Sequence, residues 1–397
     1  MTTMTTSELG INNATVSPEN ELRITPFLHA MVKQGASDLY LTTGANASLK
    51  IRGKLRAITR DRMKPGKVRQ LAEELLTATE LEAFFSSREL NKGLSLKGIG
   101  RFRMNFYFQR GEVSMVIRHI RSDIRSPEEL KLPDVLKQLV MRKEGMILFV
   151  GSTGSGKSTS MASLIQYRNE RHSGHILTIE DPIEYTFQHN QSIIGQREVG
   201  FDTLSYTNAM REAMREAPDM IMIGEIRDTS TIEAVLGFAD TGHLVISTLH
   251  ATNVVQALER ILYLFPNENK HRVLMDLSLN LRGIVAQRLI PDERDGLHLA
   301  AEVLVNTPYV AELIRQGQLS DIKDVIAKGT SDGMQTFDQA LYRLYADGCI
   351  GKETALEYAG SRNDLEWQIN FGSAQQNSKT PFSGNASSSR SGLPELS

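Results

Sequence analysis

Residues 151–158 read Gly-Ser-Thr-Gly-Ser-Gly-Lys-Ser and match the pattern G-x-x-x-x-G-K-[ST], directly after the apolar run 146–150 and before the helix-compatible run 159–167. Glycines let successive backbone N–H groups turn toward phosphates, and the N-terminus of the following helix favours their negative charge. Gly151, Ser152, Thr153, Gly154, Ser155, Gly156, Lys157, Ser158 and Thr159 are therefore the expected nucleotide-binding set. Lys157 would meet the β- and γ-phosphates and the Ser158 hydroxyl would ligate Mg²⁺. A plain Gly-rich strand-to-helix turn is the alternative, but a chance match in a chain of this length is on the order of 1% from average residue frequencies.

A second apolar run, 220–223, preceded by Asp219, leads through Gly224 to Glu225. An acid there sits at the carboxyl edge of an expected parallel strand, where ligands of α/β sheets collect. Glu225 is expected to orient and polarise the attacking water. The acid that usually precedes it is replaced by Gly224, so Mg²⁺ ligation rests on Ser158, water and Glu225 itself. A solvated strand-end carboxylate is the alternative. Glu180, Asp181 and Glu184 put three carboxylates within five residues of each other after another apolar run. Like charges this close repel, and either a charged loop or a cation or water network shared among them would account for the spacing.

His243 and His250 bracket the apolar run 244–248. A histidine near a γ-phosphate donates a hydrogen bond and, as imidazolium, adds charge complementarity; one satisfied by a local carbonyl is the alternative. Arg103 and Arg118 belong to two alternating runs, in which Arg101 and Arg103 lie opposite Phe102, Met104, Phe106 and Phe108. An arginine-lined sheet face beside a nucleotide would stabilise transition-state charge as arginine fingers do. Without that neighbour it is a solvated face.

The elements that must carry these residues fall into two groups. A helix over 22–32, hairpin strands at 39–41 and 49–51, a helix-rich stretch over 68–85 and alternating strands over 102–108 and 113–117 predict a small α+β unit spanning about 21–120. Residues 121–140 form a linker region with two prolines. Beyond it the short apolar runs 146–150, 175–179, 220–223 and 244–248 alternate with helical lengths, as buried parallel strands of βαβ units do. Leu274, Leu277 and Leu281 mark one face of a later helix, and 297–305 offers another strand. The expected class is α/β, with an ATPase domain over 141–367 preceded by the smaller α+β domain. Residues 1–20 and 368–397 are polar and expected to be disordered.

Composition narrows the function. Lys plus Arg number 45 against 47 Asp plus Glu, a net charge of −2, which gives no basic footprint for nucleic acid. No window approaches the run of about 20 apolar residues of a membrane helix, and the polar N-terminus does not read as a signal peptide. Membrane contact is expected only through partners. The single cysteine, Cys349, fits a reducing, cytoplasmic setting.

Gly35-Ala-Ser-Asp-Leu39, Arg101-Phe-Arg-Met-Asn105, the phosphate loop, Thr178-Ile-Glu-Asp-Pro-Ile-Glu184, Gly224-Glu-Ile-Arg-Asp228, Thr241-Gly-His-Leu244 and Ser247-Thr-Leu-His-Ala251 stand here in one order. In these blocks the chain resembles the secretion ATPase superfamily, and within it the PilT/PilU family of type IV pilus retraction motors of twitching motility, over about 21–365. The resemblance implies a PAS-like N-terminal domain joined by a flexible linker to a RecA-like domain, in a homo-hexameric ring with ATP and Mg²⁺ between domains and subunits. It implies catalytic roles for Glu184 and Glu225, for the His243 and His250 pair, and for Arg103 and Arg118 as arginines that approach the phosphates. It also implies an inner-membrane pilus platform protein as partner, with the motor at the cytoplasmic face.

One element departs from the family pattern. Where PilT-type members read Ala-Ile-Arg-Asn-Leu-Ile-Arg-Glu, this chain reads Tyr309-Val-Ala-Glu-Leu-Ile-Arg-Gln316, without the first arginine and the final glutamate. That element is tied to retraction in PilT-type motors, so the resemblance points to the PilU-type paralogue, an accessory motor beside a PilT-type paralogue. A pilus-extension or type II secretion assembly ATPase would usually carry a four-cysteine zinc insertion, against which the single cysteine counts. A RecA-like nucleic-acid motor would show basic, aromatic-laced stretches. A slowly hydrolysing regulatory scaffold would share the same phosphate loop and remains the alternative outside the motor class.

Overall fold

Strict alternation of apolar and polar residues builds the first of two units in the computed structural model, which describes residues 22–376 apart from Arg52 and Asp295. This unit holds the described residues through Ile124 together with Pro182–Gln188. Its strands are β1 (Asp38–Leu41), β2 (Asn46–Ile51), β3 (Lys54–Arg62), β4 (Glu89–Leu96), β5 (Gly100–Gln109) and β6 (Glu112–Ile120). They form one antiparallel sheet in the order β3-β2-β1-β6-β5-β4. Leu39, Leu49, Ile117 and Met104 line up across four strands and bury one face against the helices Thr25–Lys33, Lys67–Leu75 and Ala78–Ser87. The helix-rich stretch breaks in two at Thr77, whose hydroxyl and Glu80 form a reciprocal cap.

The polar face of the same sheet carries a row of charge. Arg103 of β5 lies directly opposite Arg118 of β6, and Arg118 opposite Asp38 of β1. Two arginines placed so would repel; Arg118 Nε donates to Asp38 Oδ1 at 2.9 Å, and Asp38 is buried. Pro182–Gln188 joins this unit through a bridge between Arg121 and Tyr185, where the Thr186 N–H donates to the Arg121 carbonyl at 3.0 Å. Glu184, expected in the second domain, is therefore carried by the first. β3 and β4 are the outer strands: β3 is rich in Lys and Arg with little to bury, and β4 half-buries Leu90, Leu94 and Leu96 around the interrupting Lys92 and Gly93, so neither gave a strong apolar run.

The second unit contains the described residues of Arg125–Asp181 and from His189 onward. Its strands are β7 (Gly145–Val150), β8 (Gly174–Glu180), β9 (Ser192–Glu198), β10 (Met220–Ile223), β11 (Leu244–Leu249), β12 (Leu281–Pro291) and β13 (Leu297–Val305), in the order β13-β12-β7-β11-β10-β8-β9. All neighbours are parallel except β12 and β13. Every residue of β7, β10 and β11 is buried, which explains their unbroken apolar runs. The chain is thus α/β, with a smaller α+β unit before a RecA-like core.

Three expectations need correction. Leu281 does not continue the helix of Leu274 and Leu277: that helix ends at Asn280 and Leu281 opens β12, buried beside Met146 of β7. Residues 121–140 are not linker throughout, because Leu132 and Leu136 are buried and Val135–Val140 is helical. The C-terminal stretch is helical through Arg362–Gln376, where Leu365 is buried and Trp367 meets Phe371 one turn on at 5.9 Å. The remaining expectations of disorder, over 1–20 and 377–397, lie outside the described residues.

Arg168 anchors the helix that follows the phosphate loop. It is 1% exposed, and its guanidinium donates to the carbonyls of Val140 at 2.7 Å and Arg142 at 2.9 Å. Burial holds its pKa below the ordinary arginine value, yet the two carbonyls leave it a donor's role. Arg168→Met removes both bonds and strands the buried Val140 carbonyl, at a cost of about 3 kcal/mol. Thermal unfolding should fall by roughly 5–10 °C; an unchanged Tm would make the buried cation a spectator.

Candidate active site

Because β7, β11, β10 and β8 run parallel, their carboxyl ends share one edge, and the chemistry-bearing residues follow those ends. The phosphate loop leaves β7 and enters the helix Lys157–Asn169. Gly151, Gly154 and Gly156 all have positive φ, at 152°, 80° and 91°. A side chain at Gly151 would also strike the Ser155 hydroxyl and come within 2.7 Å of the Gln287 carbonyl. The loop is therefore closed to anything but glycine there. Lys157 Nζ donates to the carbonyls of Gly151 and Ser152, both at 2.9 Å, so its charge is folded over the cradle. Ser155 Oγ is buried without a hydrogen-bond partner. The helix start carries no side-chain cap, which leaves its N–H groups for an anion.

Glu225 stands two residues beyond β10, and the edge fixes it from both sides. The Gly224 N–H donates to the Ile179 carbonyl and the Ile226 N–H to the Thr248 carbonyl, both at 2.8 Å. Thr248 Oγ1 returns a bond to the Gly224 carbonyl at 2.7 Å. His250, just past β11, brings Nε2 to 3.0 Å from Glu225 Oε1, while Arg227 Nε donates to Glu225 Oε2 at 2.8 Å. Arg227 also lies 3.6 Å from Asp181, and its hydrogen bond to Glu225 is the main cause of its raised pKa. A Cβ at position 224 would fall 2.7 Å from the Tyr206 hydroxyl. This accounts for the missing acid: Tyr206 occupies its space. Burial, with the Asp181 carboxylate next, pushes the Tyr206 phenol up and keeps it neutral.

The other candidates separate. His243 precedes β11 and His250 follows it, so six strand residues, about 20 Å at the usual rise, divide them. His243 Nδ1 lies 3.2 Å from the Phe238 carbonyl and 3.1 Å from Thr241 Oγ1, the locally satisfied alternative. The three carboxylates divide between the two units. Glu180 is buried and accepts from Thr178 Oγ1 at 2.6 Å, Asp181 turns to Arg227, and exposed Glu184 belongs to the first unit with Arg103 and Arg118. Among the described residues no group of three or more His, Cys, Asp or Glu is arranged to hold a metal ion. Mg²⁺ at a nucleotide needs only one or two protein ligands beside phosphates and water, and Ser158 at the helix start suits it. Glu225 has one partner on each oxygen, and each oxygen keeps a second lone pair.

Sequence patterning missed Arg227, Tyr206 and Gln287. Arg227 carried a signal, a cation two residues past a strand-end acid. Tyr206 carried none, since only folding brings it under Gly224. Gln287 backs the loop from β12 and donates to buried Ser160 Oγ at 2.7 Å. Beside Gly156 and Thr159 opens a cavity of about 360 Å³ that mixes Leu289, Leu297 and Leu299 with Arg125. Its size and mixed lining suit the base and ribose of a nucleotide whose phosphates lie on the loop.

Comparison with known proteins gives the family. The Type IV pilus ATPase PilU of Pseudomonas aeruginosa is 47% identical over 347 residues, covering 87% of this chain and 91% of that protein. The Type IV pilus retractation ATPase PilT of the same organism is 38% identical over 336 residues, covering 85% and 98%. A crystal structure of the pilus retraction motor PilT with bound ADP superposes with a TM-score of 0.81 at 39% identity, over 87% of this chain and 99% of that one. The family model described as Type II/IV secretion system protein matches residues 17–295, and the chain belongs to that family.

Proposed function

We propose that this chain is the ATP-hydrolysing subunit of a homo-hexameric motor of the type IV pilus machinery, driving or assisting retraction as an accessory beside a PilT-type paralogue. The observation that carries the reading is the shared strand edge, with a glycine-built phosphate cradle after β7 and a glutamate held by histidine and arginine after β10. The 47% identity to PilU supports the accessory role, as does the helix Pro308–Gln316. There Glu312 pairs with Arg315 at 2.7 Å in place of the family's charge pattern.

In this reading Lys157 would leave the Gly151 and Ser152 carbonyls for the phosphates, and the Ser158 hydroxyl would hold Mg²⁺, which would supply charge neutralisation. Glu225 exchanges one of its two partners for the attacking water and accepts its proton. His250, freed by that exchange, remains at the edge to meet the γ-phosphate. Glu184, Arg103 and Arg118 act from first units, and His243 acts, if at all, away from its own chain's cradle. The platform protein at the inner membrane receives the motion.

Retraction measured in cells carrying this protein alone, a PilT-type paralogue alone, or both tests the role. Retraction force or frequency should be highest with both and minimal with this chain alone. Equal retraction without this chain would overturn the accessory role, and absent ATPase activity in the purified hexamer would overturn the motor.

A further inference from the structure

The near-neutral total charge conceals one strongly basic rim. Across residues 50–69, nine Lys and Arg stand against the single acid Asp61, a surplus of eight. Lys54, Arg56, Arg60 and Arg62 all lie on β3, the outermost strand on one side of the six-stranded sheet, and Lys64 and Lys67 follow it. All six are exposed, and among the described residues none has an ion-pair partner. Apolar surface adjoins them. Leu55, 64% exposed, follows Lys54 and precedes Arg56 along the strand and turns to the opposite face, opposite Lys50 of β2. A shallow groove of about 450 Å³ runs between β3 and the helix Thr25–Lys33, lined by Pro26, Phe27, Ala30, Ala57 and Ile58.

We propose that this rim docks the first unit directly onto an anionic lipid bilayer, with the cations on headgroup phosphates and Leu55 and the apolar strip at the headgroup boundary. Clusters of four to eight Lys and Arg beside exposed apolar residues are what such surfaces attract. An added strand from an acidic protein fits less well, because it needs a regular edge. Here the register slips between Ser48 opposite Ala57 and Asn46 opposite Arg62. In the bulge the Asn46 amide donates to the carbonyls of Thr59 and Arg60, at 2.8 Å and 3.0 Å. Charges that merely guard an edge from aggregation would not need an apolar strip among them.

Flotation of the full-length oligomer with vesicles tests the proposal. The protein should float with vesicles of equal phosphatidylglycerol and phosphatidylcholine at low salt and stay behind with phosphatidylcholine alone. Binding should vanish near 1 M salt, where the screening length falls to about 3 Å. The variant K54Q/R56Q/R60Q/R62Q should lose binding at least about ten-fold, while K143Q/K323Q/K328Q/R294Q, with the same charge change on exposed positions of the second unit, should retain it. ATPase activity and oligomer size of both variants report that they are folded. Failure of the unaltered protein to float, or equal loss in both variants, would overturn the proposal. A rim variant that floats normally would do so as well.

Discussion

Glu225→Gln is expected to bind ATP with nearly unchanged affinity and to hydrolyse it about 10² to 10⁴ times more slowly, the usual contribution of a positioned general base. The phosphate loop, Lys157 and Ser158 are untouched by the change, so binding survives. Hydrolysis needs a carboxylate, and the local bonds sharpen the effect. Glu225 accepts from Arg227 Nε at 2.8 Å and approaches His250 Nε2 at 3.0 Å. An amide has one acceptor oxygen and one donor nitrogen, so it can satisfy Arg227 only by presenting its NH₂ to His250. Single-turnover hydrolysis, measured beside equilibrium binding of a labelled ATP, separates the two effects. Turnover at the ordinary rate with saturating ATP would move the base elsewhere on the edge. Loss of binding would mean that Glu225 supports the cradle rather than the water.

The sequence made the centre of the second unit legible because burial on both faces leaves uninterrupted apolar runs, and because each chemistry-bearing residue follows one of them. Val150, Ile223 and Leu249 end three such strands, and the loop, Glu225 and His250 come next. Outer strands gave no comparable signal. β3 buries too little to alternate clearly, β4 alternates but only half-buries its inward leucines, and β9 and β12 carry polar residues between their apolar ones. Nor does spacing along the chain reveal which strand end a residue occupies. His243 and His250 bracket a strand already in the sequence, but only its buried, parallel setting puts them at opposite edges of the sheet. Arg103 and Arg118 show the opposite case, since fifteen residues of separation become direct opposition once β5 and β6 pair. Glu184 joined the first unit through backbone bonds to Arg121, a contact that no side-chain pattern encodes.

Arg118→Ala should lose most ATPase activity, since trans arginine fingers contribute about 10³ to 10⁵ in rate, and should still bind ATP through its intact loop. Arg118 is well placed for such a role: 63% of its side chain is exposed, and among the described residues its ion pair is with Asp38, through Nε. Its terminal nitrogens are left to meet an anion, with Arg103 directly alongside. Like charges in register are costly in water and become favourable when a triphosphate lies between them. Lys157→Ala has the complementary defect, with intact arginines and a cradle that has lost its cation. Neither variant alone should turn over ATP at a useful rate. If one subunit's arginines serve its neighbour's nucleotide, the two inactive proteins will rescue each other when mixed under subunit exchange. In a random one-to-one mixture about one interface in four of a head-to-tail ring joins an intact loop to an intact arginine. Activity should recover toward that fraction of the unaltered protein, and crosslinking of differently tagged subunits verifies that mixed rings exist. Mixed rings without recovered activity would assign Arg118 to its own chain's nucleotide, or to holding Asp38 in the sheet.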